Sequence, residues 1–217
     1  LTAILIMQTT LFLLLNLLMV IASLTVSYRY FKDSAFSQLL LAAFVLFISQ
    51  VTLSLLFLGV VTRGLSFVFI FLLNVTVSTA VLWIYREEFG PALRHCLKET
   101  REFGAFLIGS KDVFLYILFL LLGVQVAWIL VKIYFLPPHV WDSFAYHLHP
   151  VAEWLDKGAI PGVIDSPVVR VNRNPLGSKF FILWSYYFSN DITWFELPQF
   201  IFGFVTWLNG ILIPYLQ

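Results

Sequence analysis

The side chains able to do chemistry gather between Pro137 and Lys179. Three of the chain's 4 histidines (His139, His147, His149) and four of its 12 acids (Asp142, Glu153, Asp156, Asp165) lie there, with Arg170, Arg173 and Lys179 at the far end. Carboxylates and imidazoles in one stretch can pass protons or hold a metal. An arginine can grip a phosphate through two parallel hydrogen bonds. Spacing narrows these options. His147 and His149 are two apart and cannot share a helical face as a metal pair would. His149 and Glu153 are four apart and can meet, most simply as an interfacial hydrogen bond. A haem or pigment ligand calls for a histidine inside an apolar helix, and no histidine falls within a clean hydrophobic run. The single cysteine, Cys96, offers neither an internal disulfide nor a metal-binding pattern and reads as inert.

These residues need an element to hold them. Pro137 and Pro138 end the helix before them, and Asp142 or Ser143 is placed to cap a new one. Phe144, Leu148, Val151, Trp154 and Leu155 recur at helical spacing as an apolar stripe. Asp142, Tyr146, His149, Glu153 and Asp156 fall broadly on another face. Gly158 ends the helix. Pro150 cannot donate to the Tyr146 carbonyl and is expected to bend it. The reading is a short amphipathic juxtamembrane helix in the outer interface. Its polar face turns to water or a cavity, and Trp141 and Trp154 act as interfacial anchors.

The rest of the chain is membrane. Of 217 residues 60% are hydrophobic and 12% charged, with a mean hydropathy of +0.91; a soluble domain carries about 25% charged residues. The 23 Phe, 7 Trp and 9 Tyr suit a lipid-facing surface with aromatic belts. A net charge of +1 argues against a nucleic-acid partner, which calls for a clustered basic face. The fold class expected is an all-α polytopic membrane protein with about six transmembrane helices. Leu1 to Tyr28, Ala35 to Val61, Leu65 to Tyr85 and Val113 to Leu136 form four spans. Leu176 to Asn190 adds a marginal fifth, and Thr193 to Leu216 a sixth. Gln8, Asn16, Gln50 and Asn74 within them are expected to join helices by hydrogen bonds. Lys132 lies near the end of its span, where its amine reaches the interface. The opening run exceeds the about 7–15-residue core of a signal peptide. Leu1 opening directly into an apolar helix, and Gln217 closing at the edge of another, lead us to expect a portion of a longer polypeptide.

Three parts follow: an N-terminal three-helix membrane unit (residues 1–85), a basic loop with a surface helix over Pro91 to Phe106 (86–112), and a second unit (113–217) whose outer loop spans 137–179. The basic loop holds Arg86, Arg94, Lys98, Arg101 and Lys111, which makes it the cytoplasmic side by the positive-inside rule. The segment from Pro137 onward is then external, with Arg63 the one dissenter.

Trp141-Asp142-Ser143, Tyr146-His147-Leu148, Trp154 and Gly158, with the later run Arg170-Val171-Asn172-Arg173-Asn174-Pro175-Leu176, carry a resemblance. Over about residues 113–217 the sequence resembles the C-type membrane glycosyltransferases, specifically a bacterial and archaeal branch related to the polyprenyl-phosphate-mannose protein mannosyltransferases. The resemblance implies sugar transfer from a polyprenyl-phosphate-linked donor, with inversion at the anomeric carbon. Asp142 matches the acidic position that deprotonates the acceptor hydroxyl or helps hold a divalent metal (Mg or Mn). Tyr146 and His147 would line the substrate site. Arg170 and Arg173, with Lys179 nearby, would hold the carrier phosphate.

Two other classes stay open. A non-catalytic accessory subunit of a larger membrane complex would contribute packing surface to other membrane subunits, and there Asp142 would merely cap its helix. A transporter would carry charges within its spans, and these spans hold essentially none beyond Lys132 and Glu196.

Overall fold

The computed structural model describes residues 2–110, 113–136, 147–164, 177–189, 197, 200–203 and 205. Helices and links make up all of them, with no strand among the described residues. The order is α1 (Thr2–Phe31), α2 (Phe36–Leu56) prolonged by a π-helical turn (Phe57–Val61), α3 (Phe67–Ile84), α4 (Arg86–Gly109), α5 (Val113–Phe135), α6 (His149–Lys157) and α7 (Gly177–Ser189). Met7–Phe31, Phe36–Val61, Phe67–Ile84 and Tyr116–Phe135 are long and apolar enough to cross a membrane, which takes about 20 residues. The chain is a multi-pass helical membrane protein. The fifth and sixth spans are not among these four. α7 has 13 residues, and of 193–216 only the helical residues 197, 200–203 and 205 are described.

Short links make α1, α2 and α3 antiparallel neighbours, and α1 also packs against α4 and α7. In lipid the helices gain little from hydrophobicity, so packing and buried hydrogen bonds must join them. Gln50 of α2 donates from Nε2 to Ser78 Oγ at 2.9 Å and to Asn74 Oδ1 at 3.3 Å on α3. Asn74 Nδ2 donates back to Ser54 Oγ at 3.1 Å. Asn16 of α1 accepts from the Trp184 indole of α7 at 3.2 Å. Three of the four amides therefore link helices as expected. Gln8 makes no such bond among the described residues.

α4 extends beyond Pro91 to Phe106 at both ends. Glu87 and Glu88 occupy its first turn, where carboxylates complement the helix dipole. It tolerates Pro91 at the cost of one backbone hydrogen bond. Arg29 at the end of α1 binds Glu88 at 2.7 Å, and the Tyr30 and Tyr85 hydroxyls share a 3.3 Å hydrogen bond. Ala92 is buried, and the His95 ring packs against those of Tyr28 and Phe36. Cys96 is half-buried on the same helix, and burial pushes its thiol above the usual cysteine range, as an inert cysteine requires.

The core does not stop at the first three helices. One cluster joins Leu15 and Met19, Val51 and Leu55, and Ile70 to Val151, Trp154, Ile160 and the α7 run Phe180–Trp184 with Phe188.

Candidate functional site

α6 begins with His149 and Pro150 in its first turn, where a missing N–H costs nothing. Residues 147 and 148 form a wider π-type turn just ahead. Among the described residues Pro150 stands just after a change from π-type to α-helical turn; the earlier part of the expected helix lies outside them. Gly158 ends α6 at φ 57°, the left-handed conformation glycine adopts without strain. Four members of the apolar stripe pack as expected: Val151 and Trp154 are buried, and Leu148 and Leu155 pack against the same core; Phe144 lies outside the described residues.

Trp154 departs from its expected role. It is fully buried and stacks on Phe180 of α7, with ring centroids 5.7 Å apart and planes 25° from parallel. An aromatic neighbour and a closed core are available, so protein covers the large ring. Glu153 also chooses differently. It pairs with the Lys157 ammonium, one turn ahead, a spacing at which opposite charges on a helix meet.

α6 is fastened to the link between α2 and α3. The Leu65 amide donates to the Gly158 carbonyl at 2.8 Å, and the Ile160 amide donates to the Gly59 carbonyl at 2.9 Å. Gly59 lies in the π-helical turn, and a Cβ there would stand 2.5 Å from Ile160 Cδ1. The glycine is what lets the Ile160 side chain lie against the turn. This clasp joins positions a hundred residues apart, and no local pattern announces it.

Of the candidate residues, His147 is partly buried and His149 is exposed at the start of α6. Asp142, Tyr146, Arg170 and Arg173 lie outside the described residues. Lys179, in the first turn of α7, is fully buried. Asp156 is exposed on the outer face of α6. Among the described residues no group of three or more His, Cys, Asp or Glu stands ready to hold a metal.

Among the described residues, two cavities lie away from these side chains. A groove of about 540 Å³ opens between α1, α2 and α3, lined by Ala22, Ser23, Gln50, Leu53, Asn74 and Val77 among others. Its polar lining comes from Ser23, Ser49, Gln50, Ser54 and Asn74. A second cavity of about 530 Å³ lies where α3 meets α4, between Arg29, Tyr85, Arg86 and Glu87, with Arg86 stacked 5.5 Å from the Trp83 ring centroid.

No protein-family model, curated protein or solved structure matches this chain.

Proposed function

We propose that this chain is a membrane glycosyltransferase of the C type, whole or in part. It moves a sugar from a polyprenyl-phosphate-linked donor to an acceptor at the outer face of a bacterial or archaeal cell membrane. In this reading the chain carries about six membrane helices. Residues 86–112 face the cytoplasm and 137–179 lie outside, with α6 as the juxtamembrane helix.

The observation that supports it best is the clasp at Gly59 and Leu65. It fastens the polar helix α6 to the ends of two membrane helices, the level at which a lipid-linked sugar phosphate would present its reactive carbon. Asp142 takes the acceptor's hydroxyl proton, or helps hold a divalent metal. The acceptor oxygen attacks the anomeric carbon with inversion, and the carrier phosphate leaves. Arg170, Arg173 and Lys179 offset the phosphate charge, and Tyr146 and His147 line the sugar site.

A second reading, an accessory subunit within a larger membrane complex, is favoured by α5, which is exposed along nearly its whole length.

Donor-sugar turnover in membranes, wild type against Asp142→Asn, separates the two. Asparagine keeps the size and hydrogen bonding but removes the base. We expect turnover to fall by about 10²–10⁴-fold, the contribution of a general base. Absence of turnover by the wild type with any polyprenyl-phosphate sugar would leave the accessory reading.

A further inference from the structure

The cavity beside α4 stands where two membrane helices end. α1 closes with Arg29, Tyr30 and Phe31, α3 closes with Trp83 and Ile84, and Tyr85 turns the chain into α4. Both α1 and α3 have the length and apolarity to cross a membrane, so the cavity opens at the depth of the lipid headgroups. Trp83 is 72% and Ile84 70% exposed there, and that depth is where an indole is favoured. The cavity volume of about 530 Å³ falls within the about 300–1,000 Å³ of small-ligand sites.

The walls of this cavity are braced by contacts of their own. The Arg29–Glu88 pair at 2.7 Å ties the first turn of α4 to the end of α1. The Tyr30–Tyr85 hydroxyl bond at 3.3 Å ties the turn itself. Arg86 lies over the Trp83 ring, 5.5 Å from its centroid. Stacking uses the face of a guanidinium and leaves its edge, with a fork of N–H donors, for an acceptor. The charges then sort themselves. Arg29, Arg86, Glu87 and Glu88 all line the cavity. Arg29 and Glu88 answer each other, which leaves it the Arg86 guanidinium and the Glu87 carboxylate, on neighbouring residues. A purely anionic ligand would meet Glu87, and a purely cationic one would meet Arg86. A ligand with a phosphate and an ammonium a short chain apart satisfies both.

We propose that this cavity binds the phosphoethanolamine headgroup of a membrane phospholipid. Arg86 holds the phosphate, helped by Arg29, whose fork keeps donors beyond the one given to Glu88. Glu87 holds the ammonium. An arginine grips phosphate through two parallel hydrogen bonds. A primary ammonium gives the carboxylate N–H donors, which the fully methylated ammonium of choline lacks. The acyl chains leave the site past Trp83 and Ile84 into the bilayer. The site needs only that α1 and α3 span the membrane. It holds whichever face they end on, and whether or not the chain transfers sugar.

The test is native mass spectrometry of the full chain in mild detergent. Phosphatidylethanolamine, phosphatidylcholine and phosphatidylglycerol are offered in equal amounts. The ethanolamine lipid is expected to be retained over the other two by about 2- to 5-fold, the worth of a partly exposed charge pair. Glu87→Gln is expected to equalise ethanolamine and choline lipids. Glu87→Lys is expected to turn the preference to phosphatidylglycerol, a reversal that loss of fold cannot produce. Arg86→Gln is expected to lower retention of all three. Arg94→Gln, on α4 but outside the cavity, is expected to change nothing. Equal retention of the three lipids by wild type, or the wild-type order in Glu87→Lys, overturns the proposal. Glycerophosphoethanolamine carries the same headgroup without acyl chains. If it displaces the lipid at equal concentration, the site serves a soluble phosphate ester and the lipid assignment falls.

Discussion

α2 and α5 are equally fit to enter a bilayer, but among the described residues α2 is packed far more closely by its neighbours. In its most apolar window 28% of α2 is buried, against 6% for α5. α2 carries its polar residues where α3 can answer them, through Gln50, Ser54, Asn74 and Ser78. α5 carries one mid-span amide, Gln125, that nothing described answers. Hydropathy therefore says which segments enter the membrane, whereas the placement of a few polar and small residues says which of them belong together.

The largest effect that would sharpen this contrast comes from the two tryptophans. Trp154→Ala opens a cavity in a closed core and should cost about 3–5 kcal/mol, read from unfolding in mixed micelles. Trp128→Ala, on the exposed helix, should stay within about 0.5 kcal/mol in monomeric, detergent-solubilised protein. Equal losses would mean that α5 is packed as tightly as the rest.

Two glycines come next. Gly59→Ala drives a methyl into Ile160 and should cost about 1–3 kcal/mol, as overpacking does. It should also expose the chain after α6 to added protease. Gly59→Ala combined with Ile160→Ala should recover most of that loss. Gly123→Ala in α5 has no atom within 4 Å to meet and should be tolerated or mildly stabilising.

The smallest effect is Asn74→Leu, which removes one of the partners of Gln50 and of Ser54 and leaves Gln50 its bond to Ser78. Membrane hydrogen bonds average about 0.6 kcal/mol and reach about 1.7, and that is the expected loss of stability. A loss near zero would mean that the Asn74 bonds add nothing to what packing and the Gln50–Ser78 bond already supply between α2 and α3.

Much of the architecture was legible in the residues. Four apolar runs announce themselves because the bilayer imposes a length on them, and Gly158 and the stripe through Val151 and Trp154 follow from helical periodicity. The basic helix was visible too, although its first turn, with Glu87 and Glu88, lay earlier than its apolar pattern suggested. What the residues did not disclose depends on partners distant in sequence. Nothing local tells that Trp154 meets Phe180 instead of headgroups, or that Gly59 is small on behalf of Ile160. Glu153 had two partners at legitimate spacing, His149 and Lys157, and spacing alone could not say that it pairs with the second. For the candidate site, the sequence brought His147, His149 and Lys179 into one stretch, and the fold adds that Lys179 is buried while His149 is exposed.

The clasp between Gly59 and Ile160 also imposes an order in time. At a translation rate of about 5–20 residues per second, the hundred or so residues between its two halves take about 5–20 s to emerge. Throughout that interval the turn after α2 waits with its glycine uncovered and the Gly59 carbonyl unclaimed. The helices α1 to α3 can associate before the segment that completes them exists. Docking of α6 is then a late step in biogenesis, made onto a scaffold already in place.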